Sequence, residues 1–328
     1  MSAQQPAPAA ESGPKKTGCQ PPPVDLSVQV GPLRLDNPVM TASGTFGYGD
    51  EHPDLTGVSA LGAVVTKTTT VEPRAGNPPP RLFETPAGIL NSIGLQNVGA
   101  EVFVRDVLPR LRELGPAIIV SVGGSRPQDF AHCVELIQGD GLAAFELNIS
   151  CPNVASGLEF SRSPAEAAKV VRAVRSRTDM PLFVKLSPNV TDIASVGRAC
   201  IEEGADGLTA VNTFLGMAVD VERRRPVLPR SVGGLSGPAI RPLALCRVWE
   251  LARRLSCPII GVGGIVTARD AMEFLLVGAS AIQVGTANLR DPSRGARLVE
   301  GLREMLRAKG GGRLRDQIGT LRTPLSEG

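Results

Sequence analysis

Short apolar, β-branched runs recur along this chain, with longer stretches of helical spacing between them. The runs are "PVMTA" (38–42), "AVVTK" (63–67), "AIIVSV" (117–122), "AAFELNI" (143–149), "LFVKL" (182–186), "GLTAVN" (207–212), "PIIGV" (258–262) and "AIQVG" (281–285). They are near-continuously apolar rather than alternating, which predicts strands of a parallel sheet covered on its outer face. In 97–114 apolar residues repeat at Val102, Val107, Leu111 and Leu114, as on one face of a helix. Ser163, Pro164 and Glu166 supply an N-cap, a first-turn proline and a first-turn acid. The stretches 267–277 and 294–308 read as helices in the same way.

Eight strand–helix units in one chain of 328 residues predict an α/β fold, a closed (β/α)8 TIM barrel, rather than an open doubly wound sheet. The segment 24–37, "VDLSVQVGPLRLDN", alternates about a Gly-Pro turn and predicts a small N-terminal β-hairpin across the barrel's bottom. The segments 68–96 and 214–241 are long and rich in Pro and Gly, so both are expected as insertions folded over the top face. The expected organisation is a disordered tail over 1–24, a barrel over 25–310 and a C-terminal tail over 311–328.

Composition narrows the function. Hydrophobic residues make up 42% and charged residues 20%, with a net charge of +3, which suits an ordinary globular protein. Aromatics are only 3%, which supplies poorly any surface for stacking nucleic-acid bases, and Arg223 to Arg225 read as a solvated loop. The N-terminus has no apolar core of a secretory signal, and no run reaches the ~18 apolar residues of a membrane span. A cytoplasmic location without membrane docking is expected. The six cysteines, Cys19, Cys133, Cys151, Cys200, Cys246 and Cys257, form no closely spaced thiolate set, so no metal site and no iron–sulfur cluster is expected on this chain.

Chemistry in such barrels gathers at the C-terminal ends of the strands. Read in order, those ends carry Ser43, Lys67, Ser121, Asn148 with Cys151, Lys185, Asn212, the pair Gly263 and Gly264, and Gly285 with Thr286. The two glycine loops follow strands seven and eight, where backbone N–H groups and a helix start can hold a phosphate. Asn91, Asn148, Asn153 and Asn212 can each donate and accept, as reading a flat pyrimidine-like ring requires, although asparagine also forms turns. Lys185 reads either as a salt-bridge partner or as a charge held against a reduced cofactor ring. Cys151, in the stretch "ELNISCPNV", reads either as an inert thiol or as a base or nucleophile among polar neighbours.

The stretches "MTASGTFGYG" (40–49), "NSIGLQNVG" (91–99), "LNISCPNV" (147–154), "VNTF" (211–214), "GGLSGPAIRPLAL" (233–245), "GVGGI" and "VGTAN", in this order, resemble the class 1 dihydroorotate dehydrogenases. Through "SIGLQN" the chain is most similar to the 1B, NAD-linked type. The resemblance implies an FMN-containing barrel that oxidises dihydroorotate to orotate, with Cys151 as the base at C5 and hydride passing from C6 to the flavin. It implies substrate contacts from Lys67, Asn91, Ser92, Ile93, Gly94, Leu95, Asn148, Asn153, Asn212 and Thr213. It implies flavin contacts from Ser43, Lys67, Thr68, Asn148, Lys185, Val211, Gly237, Gly263, Gly264, Gly285 and Thr286. Ser121 stands where the family usually has Asn, so its flavin contact is a weaker expectation.

For the 1B type the resemblance further implies a homodimer of this chain joined, as a heterotetramer, to a partner subunit carrying FAD and an iron–sulfur centre that reduces NAD+. The 1A alternative is reoxidised by fumarate without a partner. A dihydropyrimidine dehydrogenase-like flavin barrel is a rival reading, disfavoured by Asn153 within "CPNV". A redox-inactive phosphate-binding lyase or synthase is the reading from another class.

Overall fold

The computed structural model describes residues 23–150 and 160–323. Among these, Val39–Thr41 (β1), Ala63–Val65 (β2), Ala117–Val122 (β3), Ala144–Asn148 (β4), Leu182–Lys185 (β5), Gly207–Ala210 (β6), Ile259–Val262 (β7) and Ala281–Val284 (β8) form one closed barrel. Every neighbouring pair is parallel and sequential, and β8 closes onto β1 with Ile282 opposite Val39. The unbroken apolar runs have their cause here, since nearly every strand residue is buried.

The helices cover the outside. Pro164–Arg175 is capped by the Ser163 hydroxyl, which accepts from the Glu166 amide, and Ala268–Leu276 starts with a reciprocal box between Thr267 and Asp270. The helix expected over 97–114 runs from Ala100 to Arg112 and contains a π-helical turn over Phe103–Val107. Pro109 explains the widened turn, because it has no N–H to give and its ring crowds the carbonyl four residues back. Among the described residues no helix is long and apolar enough to cross a membrane.

The barrel's two ends differ. At the bottom, Val28–Val30 and Leu33–Leu35 pair as the expected hairpin, with Val28, Val30, Leu33 and Leu35 buried and Gln29 and Arg34 exposed. Its turn at Gly31 lies against Asp206 and Pro258, which precede β6 and β7. The segment expected as a C-terminal tail runs back along this end. Gly312–Arg313 pairs with Val24–Asp25, Leu314 is fully buried, and the Gly319 and Leu321 amides donate to Leu275 and Leu276 carbonyls.

At the top, the two insertions join each other. Leu82–Thr85, Gly88–Asn91, Gly233–Ser236 and Phe214–Gly216 form one antiparallel sheet, in that spatial order. Both segments were expected over the top face. Their pairing with each other, Leu235 opposite Leu90, makes them a single lid.

Candidate active site

Between the barrel's C-terminal rim and this lid lies a cavity, and most of the expected residues line it. From the rim come Ser43 after β1, Lys67 and Thr68 after β2, Asn148 and Lys185 as the last residues of β4 and β5, and Val211, Asn212 and Thr213 after β6. Gly263 and Gly264 follow β7, and Gly285 and Thr286 follow β8. The lid contributes Asn91, Ile93, Gly94, Leu95 and Gly237.

Gly263 and Gly264 form a corner that admits no side chain. At Gly264, φ is +75°, and an added Cβ would fall 2.8 Å from the Arg241 amide nitrogen and 2.9 Å from its Cα. Beside it, Gly285 leads into the short helix Thr286–Arg290, whose first amides have no partner within the helix. The Thr286 hydroxyl donates to Ser236 Oγ at 2.8 Å and so ties this corner to the lid. Bare backbone from adjacent strand ends, with amides and no Cβ, suits a phosphate group. The corner therefore fits the phosphate end of the flavin nucleotide that the motifs imply.

A polar belt crosses the rim. Asn212 Nδ2 donates to Ser150 Oγ at 2.9 Å and to Asn148 Oδ1 at 3.3 Å. Asn148 Nδ2 donates to Thr68 Oγ1 at 3.0 Å, and Thr68 in turn shares a 2.9 Å hydrogen bond with Ser121 Oγ. From the lid, Asn91 Nδ2 donates to the Gly234 carbonyl at 3.0 Å, across the joint between the two insertions. Lys67 is half-buried, and burial, aided by the Arg81 charge, holds its ammonium pKa below the ordinary 10.5 despite the opposing pull of Glu51.

Beneath the rim, polar side chains occupy the barrel interior. Glu146 on β4 meets Thr209 on β6 and Gln283 on β8, as residues from alternate strands do in one layer of such a barrel. Glu146 Oε2 accepts from Gln283 Nε2 at 2.5 Å and from Thr209 Oγ1 at 3.0 Å. Above this layer, Lys185 Nζ donates to Gln283 Oε1 at 3.1 Å and to Ser43 Oγ at 3.2 Å, and lies 3.6 Å from Glu146 Oε1. The salt-bridge reading of Lys185 and its place in the cavity wall thus hold together.

Two expected contacts lie behind the wall. Ser121 is fully buried and reaches the cavity through Thr68, and Ser92 is buried with its hydroxyl accepting from Asn77 Nδ2. Cys151 and Asn153 fall outside the described residues. The motifs did not single out Glu146, Thr209 or Gln283, although a charge in "AAFELNI" and an amide in "AIQVG" break apolar runs and mark Glu146 and Gln283. Nor did they single out Ser236 and the apolar lining from Ile240, Val262, Ile265 and Leu289.

The family model described as dihydroorotate dehydrogenase matches residues 25–306. Among similar proteins, one from Geotalea uraniireducens is named dihydroorotate dehydrogenase B (NAD(+)), catalytic subunit. It is 48% identical over 301 residues, covering 91% of this chain and 99% of that protein. A protein of the same name from Desulforudis audaxviator is 50% identical over 289 residues, covering 88% and 94%. A crystal structure of DHODH from Eimeria tenella in complex with ferulenol matches with a TM-score of 0.76 at 26% identity, over 90% of this chain and 88% of that one.

Proposed function

We propose, for a chain that belongs to the dihydroorotate dehydrogenase family, that the rim cavity takes FMN and substrate together in the oxidation of (S)-dihydroorotate to orotate for pyrimidine (UMP) biosynthesis. The observation that carries this reading is the union, in one cavity, of a side-chain-free phosphate corner, a buried lysine and a belt of amides. Gly237, Gly263, Gly264, Gly285 and Thr286 would hold the phosphate end. Lys185, Ser43, Thr68, Asn148 and Val211 would face the ring. Bound there, FMN would accept the hydride that leaves C6 of the substrate.

The chain's own part is to bind, orient and deprotonate. Asn91, Asn148, Asn153 and Asn212 offer donors and acceptors to the pyrimidine ring, Lys67 offers a charge to the carboxylate, and the lid excludes water. Cys151 takes the C5 proton, so that loss of proton and hydride together leaves the C5–C6 double bond. The phrase "catalytic subunit" in the relatives' names supports a partner. In this reading the partner carries FAD and an iron–sulfur centre, passes electrons to NAD+, and joins a dimer of this chain as a heterotetramer.

The deciding experiment mixes the purified chain with dihydroorotate under anaerobic conditions and follows the visible flavin band. Bleaching is expected. A yellow protein that dithionite bleaches but dihydroorotate does not would remove the substrate assignment, and a colourless protein that takes up no FMN would remove the flavin.

Lys67 adds a pH signature. A lysine keeps its charge below its pKa and loses it as pH rises through that value, which burial here holds below 10.5. The KM for dihydroorotate should therefore rise with pH earlier than an ordinary lysine would dictate. In Lys67→Met that alkaline rise should vanish, with a neutral-pH KM about 10–100-fold higher, the value of one charge-assisted hydrogen bond. A parallel pH profile in the variant would assign the carboxylate elsewhere.

A further inference from the structure

We propose that Glu146, a residue behind the cavity wall, is a positioning residue that sets the charge Lys185 presents to the cavity and thereby the reduction potential of a flavin bound there. The inference rests on the flavin reading above. Packing alone gives no reason for this side chain. Glu146 is 1% exposed, Lys185 4%, and Thr209 and Gln283 are fully buried. Withdrawing two charges from water is costly, and apolar residues of similar size would fill the layer without that cost.

The hydrogen bonds run in one direction. A carboxylate only accepts, so Glu146 Oε2 draws the Gln283 Nε2 group toward itself. Gln283 must then turn Oε1 to Lys185, which accepts the ammonium at 3.1 Å. Ser43 Oγ accepts a second Lys185 donor from the rim. Glu146 Oε1 has no hydrogen-bond partner among the described residues, and it faces Lys185 Nζ at 3.6 Å. The ammonium is thus anchored from below and neutralised at a distance, yet not tied up in a close bidentate pair, while it forms part of the cavity wall.

Uptake of a hydride adds two electrons and one proton to a neutral flavin and leaves one negative charge on the ring. A free positive charge beside the ring would favour that state, and a neutral lysine–carboxylate pair favours it less. Glu146 therefore holds the potential down, where onward transfer of the electrons remains favourable.

The test is the two-electron potential of the FMN-loaded chain, read by equilibration with redox dyes. Glu146→Gln should raise it by about 30 mV, a tenfold shift in the reduction equilibrium. Glu146→Asp disturbs the packing but keeps the charge, and should stay within about threefold of the parent equilibrium. An unmoved or lowered potential in flavin-loaded Glu146→Gln would overturn the proposal. If that variant does not fold, the double variant Glu146→Gln with Lys185→Met leaves no buried charge unpaired and decides the matter. Cancellation predicts a potential within threefold of the parent equilibrium, whereas a tenfold or greater fall would mean that Lys185 acts without Glu146. A parent chain that binds no FMN would remove the reading beneath the proposal. An FMN-loaded set with one common potential would remove the role of Glu146 alone.

Discussion

Cys151→Ala is expected to slow reduction of the bound flavin by dihydroorotate about 10²–10⁴-fold, the usual value of a general base, with little loss of FMN. The thiol follows Ser150, which is fully buried and held by Asn212 through both its hydroxyl and its carbonyl. The same Asn212 bonds Asn148 at the end of β4, so the chain enters "CPNV" from a fixed point on the cavity rim. Three of the other cysteines among the described residues make poor bases. Burial pushes Cys133 and Cys200 up to about 12 and Cys257 up to about 11, which leaves them as thiols at neutral pH. Cys246 is exposed on the outer helix Arg241–Arg254, and Cys246→Ala should leave the rate unchanged. A thiolate base also predicts that the parent rate climbs with pH as the thiol ionises, a limb that Cys151→Ala should lack. Stopped-flow reduction at several pH values reads both effects, and an unchanged rate in the variant would move the base to another residue.

The barrel was legible because its strands are buried on both faces, so each appears as an apolar run that few other structures produce. The bottom hairpin was legible for the opposite reason, since its alternation of buried valines and leucines with exposed Gln29 and Arg34 is the mark of a half-covered strand pair. The lid was only half legible. Its position followed from insertion length, but Asn91 and Gly234 lie 143 residues apart, and "GGLS" has too little side chain to announce a strand. The C-terminal return along the barrel's bottom is a similar case, with its one deeply buried anchor, Leu314, among glycines and charged residues.

At the site, motifs located residues but not their depth. Ser92 sits in a matching stretch and Ser121 where the family usually has Asn, yet each lies one layer behind the wall. Glu146 and Gln283 were visible as polar letters within apolar strands. What they do depends on three alternate strands converging inside a closed barrel, which a linear reading does not contain.

Gly264→Ala is expected to weaken FMN binding about 10²–10⁴-fold. Two costs fall on one methyl group. At φ +75° an L side chain is strained by about 1–2 kcal/mol. The larger effect is displacement, since the new Cβ would stand 2.8 Å and 2.9 Å from the Arg241 backbone, which opens the helix Arg241–Arg254 and cannot yield as a flexible side chain would. The loop must move instead, and its amides move with it. Losing two charge-assisted hydrogen bonds to phosphate, at about 1.5–3 kcal/mol each, gives the stated loss of affinity. Gly115→Ala separates strain from displacement, because Gly115 has φ +95° with nothing within 4 Å of an added Cβ and lies outside the cavity wall. That control should lose stability and keep its flavin. Gly264→Ala should purify pale, regain colour only at high FMN, and show a dissociation constant by fluorescence quenching far above the parent's. A fully yellow Gly264→Ala with parental affinity would place the phosphate away from the loop after β7, and with it the orientation of the whole cofactor across the rim.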